Sequence, residues 1–495
     1  MKKIVSAGVM RESDAYTCQN VTDSKTLMLL AGKGIVESFE PYGRIAVVCG
    51  AGNNAGDGYV AAKILAEKGF DVTVFLASDK FSPDGKYYFD MCAKAGIKTE
   101  TLCEKTYLSA FDIILDCLLG TGFTGEARGN IALAIDKINE SGARVVSADI
   151  NSGLSADSGI SQKCVVSDLT VSVGSYKYGH FLGMAKDVMR EKTNVDIGIA
   201  VRGEYAVLAE REDFLPLLLP RKCFSNKGTY GYVGIMGGCT EYSGAVKLAN
   251  MGASALRAGC GVAKLIVPKS ISASVSPYLL ESTLCPLADE DGHIIFDKGK
   301  IDASLKGLSA LSVGMGWGVS PENEKILSCI LSQKELTLII DADGLNTLAR
   351  MDKALLKSTK CRVVLTPHPK EFERLSRIPT SCVLSDPVSH AKSFAREYGV
   401  ILLLKGTSTV VTDGNSAYIV DKGSAGMATA GSGDVLSGVL TGLLGYMPYS
   451  PLTVSLGAYI AGRAGELAAE ENTEIAMTAG DTARALVRVW KELLA

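Results

Sequence analysis

The chain has no cysteine pair in a CxxC or zinc-like spacing, although it carries 13 cysteines. An odd number of scattered thiols excludes a complete disulfide framework and fits a reduced, cytoplasmic setting. Neither charge is in excess. With 51 basic and 54 acidic side chains the formal charge is −3, which gives no electrostatic basis for binding nucleic acid or a membrane surface. The segment Met1 to Ser6 lacks the sustained apolar run of a signal peptide, and Arg11, Glu12 and Asp14 follow soon after, so the mature chain is expected to begin here. A membrane-length apolar stretch is missing too: the longest weakly charged region, Val435 to Ile460, is broken by Gly442, Gly445, Pro448, Ser450 and Pro451 and reads as two buried helices. Glycine, by contrast, is abundant, with 53 residues clustered at the ends of apolar runs rather than spread through a repeat. A length of 495 residues predicts two domains.

The first half alternates helical and strand patterns. Met10 to Tyr16 and Ser24 to Gly34 have apolar positions at helical spacing, with Ser24 a candidate N-cap. Arg44 to Cys49 is a short apolar run, the pattern of a parallel strand buried on both faces. It runs into Gly50-Ala51-Gly52-Asn53-Asn54-Ala55-Gly56-Asp57-Gly58, and a helix is expected from Tyr59. A strand, a glycine-rich turn and a helix suit an anion held at a helix N-terminus. This turn lacks GxGxxG spacing, which disfavours an ordinary dehydrogenase. Asn53, Asn54 and Asp57 add oxygens and amides suited to a sugar hydroxyl or a hard cation, or simply to a tight turn. Two more strands, Phe111 to Asp116 and Arg144 to Ile150, carry acids at their ends, Asp116 before a second glycine-rich loop and Asp149 before Asn151-Ser152-Gly153. Strand ends in a parallel sheet share one edge, so Asn54, Asp57, Asp116 and Asp149 are expected to converge on one cleft.

These three motifs, preceded by the Leu27 to Gly32 helix, resemble the YjeF amino-terminal domain, the NAD(P)H-hydrate epimerase. The resemblance implies a Rossmann-like three-layer α/β/α domain that interconverts the R and S forms of hydrated NADH and NADPH. It places Asn53, Asn54, Ala55, Gly56, Asp57, Gly120, Thr121, Gly122, Phe123, Thr124, Gly125, Glu126 and Asp149 against the hydrate, and potassium on Asn54, Asp116 and Ser152. Asp149 is suited to shuttling the proton when water leaves and re-adds on the other face. Ala55 stands where the family usually has glycine, and Asn151 where it usually has proline.

Residues 213–225, with Pro216 and Pro220 and no clear period, read as a linker between an epimerase domain, 1–212, and a second domain, 226–495. Further strand-end motifs follow. Leu338 to Ile340 breaks into Asp341-Ala342-Asp343, two acids that would share a side if the strand continued. Val363 to Leu365 leads to Thr366-Pro367-His368-Pro369, a histidine in a stiff turn. Ile401 to Leu404 precedes Lys405-Gly406-Thr407-Ser408-Thr409, apt for phosphate oxygens. Last comes Gly426 to Gly438, a small-residue loop entering a helix, with Asp434 expected in its first turn.

This set resembles the YjeF carboxy-terminal domain, the ADP-dependent NAD(P)H-hydrate dehydratase of the ribokinase-like superfamily. The resemblance implies hydrate contacts from Ala245, Gly316, His368 and Asp434, nucleotide contacts from Lys405, Gly406, Thr407, Ser408, Thr409 and Gly433, and ADP with magnesium. Asp434 would take the hydroxyl proton while phosphoryl transfer turns the hydroxyl into a leaving group. Met315 and Trp317 replace the proline and leucine usual around Gly316. A homo-oligomer acting on NADHX and NADPHX is expected, with no nucleic acid or membrane partner. The main alternative is a ribokinase-like kinase for a vitamin-precursor alcohol; a non-catalytic scaffold is argued against by the retention of Asn54, Asp116 and Asp149.

Overall fold

A computed structural model of the chain describes residues 2–251 and 257–495, which form two compact units, Lys2–Ala206 and Val207–Ala495. Among the described residues no helix is long and apolar enough to cross a membrane.

The first unit contains β1 (Lys2–Val5), β2 (Arg44–Cys49), β3 (Asp71–Leu76), β4 (Lys98–Thr101), β5 (Ile113–Cys117), β6 (Arg144–Ala148), β7 (Ser167–Val173), β8 (Tyr176–Lys177) and β9 (Met189–Val195). Seven of them make one sheet in the order β4-β3-β2-β5-β6-β7-β9, and every pairing in it is parallel. Alternation along a strand buried on both faces explains the layers. Ile45, Val47 and Cys49 enter one apolar cluster with the helices Ser24–Glu37 and Asn53–Glu67, while Ala46 and Val48 enter another with the helix Gly129–Asn139. The chain runs outward from β2 to β4 and then returns to β5, so the order reverses between β2 and β5. Crevices at such reversals are where open α/β sheets bind ligands.

Two local expectations are corrected. The helix after β2 begins at Asn53 rather than Tyr59, because Gly52 takes the extended N-cap conformation and short polar residues suit a first turn. Asp23 rather than Ser24 caps the preceding helix, its carboxylate accepting the Thr26 N–H at 3.0 Å.

The second unit contains β10 (Ala206–Leu208, paired through Val207 and Leu208), β11 (Tyr232–Met236), β12 (Val262–Pro268), β13 (Thr283–Leu287), the hairpin β14 (Asp289–Glu290) and β15 (His293–Ile294), β16 (Ala310–Val313), β17 (Thr337–Ile340), β18 (Arg362–Leu365), β19 (Ile401–Leu404), β20 (Thr409–Thr412) and β21 (Ala417–Val420). Its main sheet runs β13-β12-β11-β16-β17-β18-β19-β20-β21-β10, parallel as far as β19 and antiparallel through β20. Here the order reverses between β11 and β16. The helices Ser432–Leu444 and Pro451–Ala476 pack on this sheet through a core that includes Val233, Ile235, Ile339, Val364, Val439 and Leu443. The Val435 to Ile460 stretch is thus two buried helices, as its breaks predict.

Candidate functional sites

At the reversal in the first unit the ends of β2 and β5 approach closely. A Cβ on Gly50 would lie 2.0 Å from the Leu118 carbonyl oxygen, so only glycine fits there. Beyond it opens a cavity of about 980 Å³ lined by Asn53, Asn54, Asp57, Gly120, Thr121, Gly122, Phe123, Thr124 and Asp149 among others. Of the expected contacts, Ala55 and Gly56 are buried in the helix behind the cavity wall, and Gly125 and Glu126 lie outside the lining. The stretch Gly120 to Gly125 does have GxGxxG spacing, but its helix starts only at Gly129, so it is a lining loop and not a helix cap.

The expected convergence on one cleft is corrected for Asp116, which is fully buried and lies outside the cavity lining. Its carboxylate accepts from Ser152 Oγ at 2.5 Å, Ser152 N–H at 2.9 Å, Ser147 Oγ at 2.9 Å and the Leu118 N–H at 3.3 Å. Burial nevertheless pushes it above the ordinary carboxylate range, against the pull of those donors. Beside it, Asn54 donates through Nδ2 to the Leu119 carbonyl at 2.9 Å, while Asn54 Oδ1 is buried without a partner. Asn54 and Ser152, the latter bonded to Asp116, donate to the same Leu119 carbonyl, and an unpaired amide oxygen with hydroxyl and carboxylate groups in one such network has the donor chemistry of a hard-cation site.

Asp149 stands at the end of β6 with φ +64°, a left-handed conformation that costs a non-glycine residue about 1–2 kcal/mol. Its Oδ2 accepts the Thr121 N–H at 3.1 Å, and its Oδ1 is ion-paired with the ammonium of Lys177, a residue only 1% exposed. Burial raises its carboxyl, but the Lys177 charge and hydrogen bond outweigh that and hold it below the ordinary value. Asp57 goes the other way: burial, with the nearby Asp149 and Asp14 charges, holds it well above. Asp14 is pushed up to about 6, mainly by burial. Two carboxyls shifted in opposite directions thus line one cavity, an arrangement suited to pairing a proton donor with a proton acceptor. Sequence reasoning missed Asp14, Lys177 and His180. The available signal was Tyr176 to His180, which follows the end of β7 on the same sheet edge as the expected acids.

In the second unit the strand-end motifs form a connected chain. Gly316, at φ +58°, would place a Cβ 2.5 Å from the Tyr242 carbonyl and 2.8 Å from Ala245, so these loops touch across the reversal. Asp341 and Asp343 do not share a strand side. The strand stops at Ile340, Asp341 precedes the helix Ala342–Arg350, and Asp343 accepts the Gly318 N–H at 2.8 Å. Asp341, 1% exposed, accepts from Lys405 Nζ at 2.9 Å and from Ser437 Oγ at 2.7 Å. Glu371 lies 3.8 Å from Lys405 and accepts the His368 N–H at 2.9 Å. Burial opposes the Lys405 charge, yet Asp341 and Glu371 raise it above its ordinary value, so it stays cationic. His368 Nδ1 accepts from the Lys370 and Glu371 N–H groups at 3.1 and 3.3 Å, which leaves the ring proton on Nε2. Of the expected nucleotide loop, Gly406 and Thr407 are exposed, whereas Ser408 is buried and donates to Asp421 at 2.8 Å.

Gly431, at φ +96°, starts the helix Ser432–Leu444 and puts Asp434 in its first turn. Burial, then the Asp341 charge, push the Asp434 carboxyl up to about 7, with Lys405 opposing. Gly433 faces Asp341 and Lys405, since a Cβ there would lie 3.5 and 3.6 Å from their charged atoms. A carboxyl that is half ionised near neutrality, beside a fixed cation and a helix N-terminus, has the attributes of a general base facing an anion. Among the described residues no three His, Cys, Asp or Glu side chains gather as a metal cluster. A divalent ion here would have to rely largely on substrate phosphates.

These features define a two-domain α/β enzyme class, with a Rossmann-like and a ribokinase-like unit and a strand-end cluster of polar side chains in each. Residues 24–179 match the family described as YjeF-related protein N-terminus, and residues 233–488 the one described as NAD(P)H-hydrate dehydratase. The chain is 32% identical to the bifunctional NAD(P)H-hydrate repair enzyme Nnr of Moorella thermoacetica, over 97% of this chain and 94% of that protein. It is 34% identical to the Thermofilum pendens enzyme of the same name, over 88% and 84%. The ADP/ATP-dependent NAD(P)H-hydrate dehydratase of Bacillus subtilis, co-crystallised with ATP and magnesium, superposes with a TM-score of 0.51 at 27% identity, over 58% of this chain and 99% of that one. The chain belongs to the bifunctional NAD(P)H-hydrate repair family.

Proposed function

We propose that the chain repairs hydrated NADH and NADPH, the first unit equilibrating the R and S hydrates and the second dehydrating the S form with ADP as phosphoryl donor. The observation that carries the dehydratase reading is Asp434, a carboxyl at about 7 in the first turn of a glycine-led helix, facing Lys405. Asp434 removes the proton of the hydrate hydroxyl as its oxygen attacks the β-phosphorus of ADP and AMP departs. N–H groups of Gly431 to Gly433 stabilise the charge on the moving phosphoryl. Lys405, held by Asp341 and Glu371, presents its remaining donors to phosphate oxygens, and His368 Nε2–H donates to the substrate. Nitrogen-assisted expulsion of phosphate and loss of a ring proton then restore the dihydropyridine. Magnesium, carried mainly on the nucleotide, would neutralise phosphate charge.

In the first unit, the substrate's ring nitrogen expels water from the hydroxyl-bearing carbon, and water re-adds on either face. Asp57, whose burial favours its protonated form, gives a proton to the departing hydroxyl, Asp149 takes one from the water that re-adds, and return of that proton from Asp149 to Asp57 resets the pair. Asn54, Asp116 and Ser152 suit a potassium ion, which would supply positive charge close to the substrate. The experiment is to supply mixed R and S hydrate with ADP or ATP and follow recovery of the reduced-nicotinamide absorbance. Full recovery with one equivalent of AMP supports both activities. Recovery that stops at the S fraction removes the epimerase, and a stable phosphorylated product in place of NADH removes the dehydratase.

A further inference from the structure

We propose that Lys177 is a positioning residue of the first site, closing with His180 a ring of hydrogen bonds that fixes the direction of the Asp149 carboxylate. The proposal rests on the reading of Asp149 as proton carrier. Lys177 lies in the two-residue strand β8 and is 1% exposed. Its ammonium donates to the Val173 carbonyl at 2.8 Å and to Asp149 Oδ1. The Lys177 backbone N–H donates to His180 Nδ1 at 2.9 Å, which leaves the His180 proton on Nε2, 2.8 Å from the Asp149 carbonyl oxygen. The ring therefore runs from the Lys177 backbone through the imidazole to the Asp149 backbone, and from the Asp149 carboxylate back to the Lys177 side chain. It holds both ends of a residue at φ +64°, in the left-handed region that favours glycine, and such a conformation persists where surrounding contacts over-determine it.

The charges facing the pair set what the ring does for the reaction. Asp14 comes from the helix Ala7–Asn20 and Asp57 from the helix Asn53–Glu67. Arg11 and Asp84 also line the cavity, and Lys192 donates to the His180 carbonyl at 3.0 Å. His180 stays neutral, since burial and then the Lys177 charge depress it to about 4. The Lys177 ammonium thus stands against Asp149 with Asp14 and Asp57 close by, and without it those carboxyls would compete for protons. Lys177 acts through Asp149: two of its three ammonium N–H groups are taken by the Val173 carbonyl and the Asp149 carboxylate.

The test compares full-length Lys177→Met and Lys177→Arg with the parent for R/S equilibration across pH, using S-hydrate dehydration in the same chain as the control. For Lys177→Met the expected result is a loss of roughly 10²-fold in kcat with KM nearly unchanged. The acid limb of its pH profile should move up by about one unit or more, with dehydration at the parent rate. Lys177→Arg, which keeps the charge but displaces it, should lose kcat and leave the acid limb in place; it carries the test alone if the methionine variant does not fold. Parent-like kcat in either variant overturns the proposal, as does a loss confined to KM or an unmoved limb in Lys177→Met. A parent chain that cannot equilibrate the hydrates overturns the epimerase reading and this proposal with it, an outcome separate from failure of the variants alone.

Discussion

Asp434 shows how one side chain couples stability to catalysis. Its carboxyl moves from 3.8 to about 7 because it is buried beside Asp341, so the folded chain prefers it protonated. A raised folded value means the stabilising contribution is complete below the unfolded value and is lost as pH rises through about 7. Asp434→Asn is therefore expected to melt higher than the parent at pH 8, by roughly 2–4 °C for a gain of ~1 kcal/mol, and to melt alike near pH 3. Thermal scans at the two pH values check this. The same variant should lose ~10²–10⁴-fold in dehydratase rate, and the parent rate should fall on acidification through about pH 7 as the base is protonated. An Asp434→Asn enzyme with near-parent rate would refute its role as the base. Asp434 was legible in sequence because small residues before a helix mark an anion site. Its environment was not: Asp341 is 96 residues from Ser437, to which it is bonded, and 64 from Lys405.

At the level of the element, the glycine-rich turn after β2 was visible at once, but its glycines have different jobs that only packing separates. Gly50 is pressed against the Leu118 carbonyl, whereas nothing lies within 4 Å of a Cβ on Gly52, whose φ of −93° suits any residue. Gly50→Ala should destabilise the first unit by about 1–3 kcal/mol and slow epimerisation while leaving dehydration intact, because backbone on both sides must shift. Gly52→Ala should change stability only slightly. Paired denaturant titrations with both activity assays separate the two cases, and equal effects would contradict the packing argument. The helix start shows the same limit of sequence reading. Asn53 and Asn54 look like turn residues in the sequence, yet their short polar side chains are tolerated in the first helical turn, where N–H groups are still unpaired. Short apolar strands were easier to place, since burial on both faces leaves an unbroken apolar run.

Across the whole molecule, the sequence conveyed two α/β units with strand-end sites because glycine and acid recur after apolar strands. It did not convey the reversals of strand order that select the working crevices, which depend on pairings such as β2 with β5 and β11 with β16. Each site draws its side chains from one unit: Asn54, Asp57, Asp149 and Lys177 from the first, and Asp341, His368, Lys405 and Asp434 from the second. Such a division predicts that the two activities complement in trans. A full-length Asp149→Asn chain should recover NADH only from the S hydrate and stall near the S fraction. An Asp434→Asn chain should equilibrate R and S yet recover almost none. Mixed in one tube with ADP and the epimer mixture, the two should approach full recovery, because the free hydrate passes through solution between a working epimerase on one chain and a working dehydratase on the other. The rate should then rise with the concentration of whichever variant is limiting. If the mixture instead stalls at the S fraction while each variant keeps its remaining activity, the two sites must act within a single chain, and independent crevices would not describe how this enzyme works.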